Sequence, residues 1–200
     1  MNIVSMESLS PVIAASAAHV VFRLAYFFYI GFTLRSVHFD QNKQRANTYE
    51  EWLRFKNKAS FIINSDALLF ALIILLSIGS LPPLVQYEHT MIVGLALACV
   101  GITVKLEAYR LVGEKGYYWY NFFCSVEERE YTPRGIYRYL DNPMYGLGYL
   151  HAFGLALVFR SVWGIVFALF DWVVVWAFYF FFERSHTLRN RNSVRREVCS

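Results

Sequence analysis

The segment from residue 132 to residue 150, TPRGIYRYLDNPMYGLGYL, concentrates side chains that can hold an anion or hydrogen-bond a ligand. Pro143 favours the first turn of a helix and forces Asn142 out of the helical conformation, so the sequence predicts Asn142 as a helix N-cap. The amides of such a first turn bind carboxylates or phosphates. Gly146 and Gly148 would permit a close approach of a ligand or another backbone. Cationic and phenolic side chains surround this turn: Arg134, Arg138, Tyr137, Tyr139 and Tyr145.

A second chemically unusual residue is Glu183, which ends a long apolar and aromatic stretch. A carboxylate at a helix C-terminus faces the negative end of the helix dipole, so a cationic group should compensate it. Arg184 and Arg138 are candidates, and so are the ammonium or hydroxyl groups of a ligand. The sequence does not decide which residue on this side of the protein could accept a proton as a general base. The candidates are Glu127, Glu128, Glu130, Asp141, Glu183 and His186.

The composition places these residues in a membrane protein. Of the 200 residues, 56% are hydrophobic and only 17% are charged, whereas soluble domains carry about 25% charged residues. Disordered, collagen-like, coiled-coil and disulfide-rich classes are excluded. Cys99, Cys124 and Cys199 are widely spaced and form no Cys-x-x-Cys pair, which favours neither a zinc site nor a disulfide framework.

Apolar runs predict an all-α bundle of about five transmembrane helices that ends in a helical hairpin. The hairpin turns at Arg160 and Ser161. The earliest run contains His19 and Arg23 and could instead be an interfacial amphipathic helix. We expect the third helix to continue past Lys105, whose side chain can reach the interface, and to stop at Gly113. The predicted runs cover residues 10–34, 67–87, 90–104, 143–159 and 162–182.

The basic residues predict the orientation, because cytoplasmic loops are enriched in Lys and Arg. Of the 19 Lys and Arg residues, 17 lie in three segments that five spans would put on one face. This places the N-terminus outside and the tail inside. The first ten residues lack a basic region typical of a signal peptide, so we expect the first helix to be retained. With little sequence outside the bilayer, residues 1–200 are predicted to form a single domain.

Two further features are a charge inside a predicted span and a run of aromatic residues. Asp171 precedes Glu183 by 12 residues, which is about 18 Å of helix. Intramembrane charges face a partner inside the bundle. The candidate partners of Asp171 are Arg23 and His151, and we predict a structural contact with Arg23. If so, exchanging Arg23 and Asp171 should preserve folding. The aromatic run at residues 117–123 is typical of an interfacial belt, or it could line a lateral entrance for a lipid headgroup.

The run at residues 140–145, LDNPMY, preceded by GIYR at 135–138, resembles the signature of the phospholipid methyltransferase family. That family includes phosphatidylethanolamine N-methyltransferases and is related to isoprenylcysteine carboxyl methyltransferases. Its members show a basic or aromatic approach, then Asn-Pro or His-Pro, one residue, and Tyr. The Asn-Pro-Met-Tyr form is similar to the phosphatidylethanolamine branch.

Two further positions extend the resemblance over residues 60–186. Cys99-Val100-Gly101 stands where animal members have a Gly-x-Gly that contacts S-adenosylmethionine, with Cys99 in place of the first glycine; a glycine in a packed helix can also mark a helix crossing. Glu183-Arg184 stands where the family has paired glutamates, and only the first is kept. The resemblance implies catalytic roles for Asn142, Tyr145 and Glu183. It implies S-adenosylmethionine contacts at Gly101, Tyr137, Arg138, Asn142, Pro143, Tyr145 and Glu183.

The family resemblance implies methyl transfer from S-adenosylmethionine to a membrane lipid amine, most simply phosphatidylethanolamine or its methylated derivatives. The core would be residues 90–186, with a basic tail at 184–200. We expect an endoplasmic reticulum or bacterial inner membrane with the active site on the cytoplasmic face, and neither a metal nor a nucleic acid as partner. The alternatives are another lipophilic acceptor such as a prenylcysteine carboxylate, a sterol reductase, or a non-catalytic polytopic membrane protein.

Overall fold

A computed structural model describes residues 6–39, 48–82, 86–123 and 135–184. Within these ranges the chain is helical and contains no strand. Two π-helical segments continue longer helices: Tyr26–Ile30 joins α1 to α2, and Tyr179–Glu183 extends α6. The α-helices are α1 (Met6–Ala25), α2 (Gly31–Phe39), α3 (Thr48–Leu76), α4 (Tyr87–Tyr117), α5 (Leu150–Val158) and α6 (Val162–Phe178).

Helices long and apolar enough to cross a membrane account for most of the described chain, and the protein is an integral membrane protein. A shorter apolar helix, Leu147–Val158, pairs with α6 as the predicted C-terminal hairpin. The all-α class and the count of about five helices are therefore confirmed. The four spanning candidates are Ser10–Val37, Thr48–Leu76, Tyr87–Tyr117 and Val162–Glu183.

Helix boundaries differ from the sequence prediction where charges lie inside the bundle. Helix α3 begins at Thr48 rather than at residue 67. The charge-free run starts after Asp66, but Asp66 is buried within α3 and does not mark a helix end. Helix α4 continues to Tyr117, although Gly113 leaves the helical conformation with φ of 65°. The sequence predicts that the helix stops at Gly113, but in the structure Gly113 is a local break and α4 continues for four more residues to Tyr117. Lys105 consequently lies inside α4, 12 residues before its end at Tyr117, and the contact of its side chain with the interface stays a prediction.

The predicted helix start at Pro143 is wrong. Residues 143–146 form an isolated turn, a 3-10 segment follows at Leu147–Tyr149, and α5 begins only at Leu150. Gly146 has φ of −83° and ψ of −105°, which ends the turn before a helix can propagate. Asn142 still accepts a hydrogen bond from the Tyr145 amide at 3.3 Å. It therefore caps a turn, and the predicted row of free helix N-terminal amides is not formed there.

Close helix packing in the bundle depends on small residues in α4 and α5. A Cβ atom on Gly101 would overlap the backbone nitrogen of His151, and one on Gly94 would come within 2.9 Å of the Gly154 carbonyl oxygen. Gly154 faces Ala98 in the same way. Small residues let helix backbones approach closely in membrane proteins. Helix α4 is thereby packed on α5, α1 is packed on α3, and α5 folds back on α6.

The two π-helical segments face each other in the core. The ring centroids of Tyr26 and Phe178 are 4.8 Å apart, and those of Phe27 and Phe182 are 5.4 Å apart. A π-helical turn rotates the side chains that follow it and is frequent at functional sites. Here one segment begins with Tyr26 and the other ends with Glu183, so both contribute to the same part of the interior.

The α5–α6 hairpin is joined to the end of α3 on the opposite side of the bundle. Arg160 adopts a left-handed φ of 51°, and its guanidinium donates to the carbonyl oxygens of Leu81 and Pro82 at 3.3 and 3.2 Å. The Ser161 hydroxyl caps α6 by accepting from the Gly164 amide at 2.7 Å. The predicted turn at Arg160 and Ser161 is confirmed.

Candidate functional site

A cavity of about 590 Å³ opens inside the bundle between α3, α4 and the α5–α6 hairpin. Its polar groups are a charged group on α1, α3 and α6, a contact between Lys105 and His151, and the residues close to Glu183. Its lining includes Arg23, Tyr26, Ile63, Asp66, Ala67, Phe70, Ala71, Lys105, Leu106, Tyr109, Tyr117, Trp119, Met144, Tyr145, Tyr149, His151, Ala152, Leu155, Asp171 and Val175.

Two aromatic residues hold the carboxylate of Glu183 in place. The Tyr145 hydroxyl donates to Glu183 Oε1 at 2.8 Å, and the Trp119 indole N–H donates to the same oxygen. Glu183 is buried, and both donors line the cavity. Hydrogen bonds from these two neutral donors stabilise this carboxylate. Compensation by Arg184, Arg138 or a ligand stays a prediction.

Tyr145 is positioned through its backbone. Its amide donates to Asn142 Oδ1, and its carbonyl oxygen accepts a hydrogen bond from the Trp172 indole of α6 at 3.0 Å. Pro143 is fully buried beside this turn. Burial, followed by the negative charge of Glu183, raises the pKa of Tyr145 well above its ordinary value. Tyr145 therefore remains a neutral hydrogen-bond donor at physiological pH.

The segment after α4 carries Trp119 into the interior. Trp119 has a left-handed φ of 54°, which turns the chain back under the bundle. The neighbouring backbone is held by α3, since the Trp52 indole donates to the Tyr118 carbonyl oxygen at 3.0 Å and Lys56 pairs with Glu114 at 2.6 Å. The interpretation as an interfacial belt is wrong for the members of this run that are buried: Trp119, Phe122 and Phe123.

A compact charged group lies deeper in the cavity wall. Arg23 Nε lies 2.8 Å from Asp171 Oδ1, and Arg23 Nη2 lies 2.5 Å from Asp66 Oδ2. His19 Nε2 is 3.0 Å from Asp171 Oδ1. The predicted Arg23–Asp171 contact is confirmed. Asp66 and His19 were missed as partners; the spacing of four residues between His19 and Arg23, which puts them on one helix face, was the available signal.

This charged group contains the donor types of a metal site. Ligand atoms of His19, Asp66 and Asp171 all lie within 4.8 Å of one another. The guanidinium of Arg23 contacts both carboxylates and supplies the positive charge that a cation would otherwise provide. The four residues form an ion cluster in which Arg23 offsets the charge of one of the two carboxylates and His19 Nε2 is a further polar partner of Asp171.

Lys105 and His151 form a second polar contact on the cavity wall. His151 Nδ1 donates to the Gly148 carbonyl oxygen at 2.7 Å, which leaves Nε2 as an acceptor for the Lys105 ammonium at 3.4 Å. The Lys105 ammonium also lies 5.5 Å from the centre of the Tyr149 ring. His151, the alternative predicted partner of Asp171, is therefore engaged by Lys105.

The structure brings only part of the predicted site together. Asn142, Tyr145 and Glu183 form one connected group, with Pro143 beside it. Tyr137 and Arg138 lie in the 3-10 segment Gly135–Arg138, outside the cavity lining. Residues that fall outside the described ranges are Cys124, Glu127, Glu128, Glu130, Arg134, His186 and Cys199.

The glycine motif of α4 has a clear packing role. Gly101 faces the α5 backbone, whereas Cys99 is exposed on the outer surface of α4. The predicted donor contact at Gly101 stays a prediction, and Cys99 does not lie on the same face. Lys105 and Trp119 were missed as cavity residues, because Lys105 looked like an interfacial lysine and Trp119 like a belt aromatic.

The fold and site define a polytopic integral membrane protein with a polar cavity inside its helical bundle and a carboxylate at one end. The family model for phospholipid methyltransferases matches residues 89–190. This segment includes α4, the turn at Asn142, the α5–α6 hairpin and Glu183. The chain belongs to the phospholipid methyltransferase family.

Curated relatives extend the similarity. The chain is 30% identical over 139 residues to a phosphatidylethanolamine N-methyltransferase of Saccharomyces cerevisiae, covering 69% of this chain and 16% of the relative. It is 28% identical over 148 residues to one of Arthroderma benhamiae, covering 72% of this chain and 15% of the relative. The match to phosphatidylethanolamine N-methyltransferase 1 of Vanderwaltozyma polyspora is 30% over 108 residues, covering 54% and 12%.

The chain thus spans less than a fifth of the length of these curated relatives. No solved structure shows a significant match.

Proposed function

We propose that the chain is an S-adenosylmethionine-dependent methyltransferase whose acceptor is a membrane lipid amine, phosphatidylethanolamine or its methylated derivatives, in the direction of phosphatidylcholine. The observation that carries the proposal is the Glu183 carboxylate, held by Trp119 and Tyr145 at the end of the cavity. This group lies within the family-matched segment. The names of the three curated relatives support the same acceptor class.

The residues around Glu183 fit the chemistry of the donor. S-adenosylmethionine, when bound, supplies an electrophilic methyl group on a sulfonium and also carries an ammonium, a carboxylate and ribose hydroxyls. Glu183 suits the ammonium or the hydroxyls, and the aromatic faces of Tyr145 and Trp119 suit the positive sulfonium. Asn142 and Arg138, which lie outside the cavity lining, would hold the carboxylate, with Tyr137 as a further contact and Pro143 supporting the turn.

The reaction needs an uncharged amine placed in line with the methyl group. Tyr145 donates to Glu183 and lines the cavity, so its hydroxyl can contact the amine and pass the amine proton to the carboxylate. Because its pKa is raised, Tyr145 acts through its O–H group and not as a free phenolate. Positioning of the amine against the donor supplies much of the rate enhancement.

The proposal includes a single membrane-embedded domain over residues 1–200, with the catalytic core at 90–186 and a basic tail at 184–200. The basic segments orient this side towards the cytoplasm, in an endoplasmic reticulum or bacterial inner membrane. This orientation gives the site access to a soluble donor from one side and to lipid from within the bilayer.

Titration calorimetry of S-adenosylmethionine with the purified protein tests the donor site. We expect specific binding that is weakened by Asn142→Ala and by Glu183→Gln, which keeps an acceptor for Trp119 but removes the charge. The matched controls are Asn64→Ala and Glu88→Ala, because both residues are exposed and lie outside the site. Methyl transfer is then measured with vesicles that contain phosphatidylethanolamine.

A folded protein that binds no donor in the presence of phosphatidylethanolamine, and methylates no lipid amine, would overturn the proposed function. Equal losses in the control variants would remove the assignment of Asn142 and Glu183 to the site.

A further inference from the structure

Lys105 is a cation of the cavity that the proposed donor chemistry does not use. Its ammonium has three protons, of which one reaches His151 Nε2 at 3.4 Å. Among the described residues no carboxylate lies within ion-pair distance of it. The Lys105 side chain lines the cavity together with Tyr149 and Met144.

Within the described part of the chain, the contrast with Arg23 shows that Lys105 has no carboxylate in direct contact. Arg23 contacts two carboxylates, Asp66 and Asp171, within 2.8 Å. A cation removed from water needs an opposite charge or several hydrogen bonds to offset the lost hydration. Lys105 has one such hydrogen bond and a ring face, so an anionic group in the cavity would complete its coordination.

The cavity is open sideways between α3 and α4. These helices meet near one end, where Lys56 pairs with Glu114, and among the described residues they have little backbone contact elsewhere. The side chains of Leu106 and Tyr109 are 52% and 43% exposed along this gap. An apolar opening in the side of a membrane-spanning bundle suits acyl chains that remain in the bilayer while a polar group enters.

The cavity lining offers two kinds of group to a ligand. Lys105 and His151 provide a cation and a hydrogen-bonding group, and Tyr26, Trp119 and Tyr145 provide aromatic faces near Glu183. Aromatic faces attract ammonium and methylated ammonium groups. A ligand with a phosphate and an amine separated by a short linker can place its phosphate on Lys105 and its amine against these aromatic faces.

We infer that Lys105, with His151 and Tyr149, is a binding site for the phosphate of a glycerophospholipid that enters between α3 and α4. The phosphate lies on the Lys105 ammonium, and the headgroup amine points towards Trp119 and Tyr145. The direction of the amine rests on the proposed function, whereas the phosphate site does not. Lys105 therefore positions the acceptor and takes no part in the transfer of the methyl group.

Lipid binding without any methyl donor tests this site. The purified protein is titrated with four short-chain probes, and affinity is read calorimetrically. Dihexanoyl phosphatidylethanolamine and dihexanoyl phosphatidic acid carry a phosphate, whereas dihexanoylglycerol and sphingosine do not. The variants are Lys105→Met and Lys105→Arg. The matched control is Lys115→Met, because Lys115 lies on the same helix, is exposed and is not part of the cavity lining.

We expect the wild-type protein to bind both phosphate-bearing lipids at least about tenfold tighter than dihexanoylglycerol, which corresponds to about 1.4 kcal/mol. Lys105→Met should abolish this difference while leaving sphingosine binding unchanged. Lys105→Arg should retain most of it, because the charge is kept. Lys115→Met should behave as wild type.

Equal binding of phosphate-bearing and phosphate-free lipids by the wild-type protein would overturn the inference, and this comparison requires no variant to fold. A Lys105→Met protein that retains the preference, or that loses donor binding as well, would also overturn it. The proposed function fails separately: lipid binding that depends on Lys105 without any methylation would leave the phosphate site standing and remove the enzyme assignment.

Discussion

The hydroxyl of Tyr145 lies 2.8 Å from Oε1 of Glu183, and the two residues come from opposite ends of the α5–α6 hairpin. The hairpin therefore returns the chain to the turn from which it started. The Trp119 indole, which follows α4, donates to the same carboxylate oxygen. Three separate segments meet at one acceptor, which makes the geometry of this site sensitive to any one of them.

Replacing Tyr145 with phenylalanine removes the donor to Glu183 and keeps the ring. A hydrogen bond to a charged group contributes about 1.5–3 kcal/mol, so we expect kcat/KM to fall roughly 10- to 100-fold. The measurement is the initial rate of labelled methyl transfer from S-adenosylmethionine into phosphatidylethanolamine vesicles. Tyr139→Phe is the matched control, because Tyr139 is 85% exposed. A rate equal to wild type in Tyr145→Phe would refute the role of the hydroxyl.

The raised pKa of Tyr145 predicts a pH dependence of stability. The unfolded chain ionises this phenol above its ordinary pKa of 10.0, whereas the folded protein keeps it neutral to higher pH. The folded state then binds more protons, so the contribution of Tyr145 to stability is fully present below pH 10.0 and declines as pH rises towards the folded-state pKa. The stability difference between wild type and Tyr145→Phe should narrow above this pH.

Unfolding of the two proteins in detergent, followed on both sides of pH 10.0, measures this difference. The other tyrosines are common to both proteins, so their titration cancels in the comparison. A difference that is constant with pH would show that Tyr145 titrates with its ordinary pKa in the folded protein.

Removal of Arg23 should destabilise the bundle strongly. Arg23→Met leaves Asp66 and Asp171 without their guanidinium, and breaking a buried ion pair from one side costs about 3–5 kcal/mol. Adding Asp66→Asn should recover part of the loss, because one uncompensated charge is removed. Arg110→Met, at an exposed position of α4, should change stability by less than about 0.5 kcal/mol. The measurement is the free energy of unfolding of each variant in the same detergent. An Arg23→Met protein as stable as wild type would contradict the prediction.

The sequence predicts that exchanging Arg23 and Asp171 preserves folding, but the contact between Arg23 and Asp66 leads us to expect a loss of stability. Arg23→Asp would place a carboxylate beside Asp66, so we expect the exchanged protein to be less stable than wild type. An exchanged protein with wild-type stability would mean that Asp66 contributes little to the ion cluster.

The small residues of α4 give a test that separates packing from donor contact. A Cβ atom at residue 101 would overlap the His151 backbone, so we expect Gly101→Ala to lower stability by about 1–3 kcal/mol. Cys99→Ala, two residues away on the exposed face, should change stability by less than about 0.5 kcal/mol. Gly101→Ala with full stability and weakened S-adenosylmethionine binding would favour the donor contact over the packing role.

Much of the fold could be predicted because apolar length and charge placement are physical requirements of a bilayer. The hairpin turn at Ser161 and the contact between Arg23 and Asp171 followed from the same requirements. The boundary at Asp66 was wrong because a charge in sequence looks like a helix end. Only tertiary structure shows that the charge is neutralised across the bundle.

The site was harder to predict than the spans. Asn142 and Tyr145 are connected as local turn chemistry suggests, but the glycines after them delay the helix until Leu150. Trp119 has the sequence environment of a surface aromatic, and its left-handed backbone turns it inward. Such a conformation in a residue with a large side chain is rarely predictable from composition.

The ion cluster of Arg23, Asp66 and Asp171 also bears on biogenesis. An isolated Arg or Asp at the centre of a helix opposes insertion by about 2.5–3.5 kcal/mol. Helices α1 and α3 precede α6 by many residues, so a ribosome synthesises Arg23 and Asp66 long before Asp171. These two helices can therefore enter the bilayer as a neutral pair, and α6 is the helix whose charge depends on partners that are already in place.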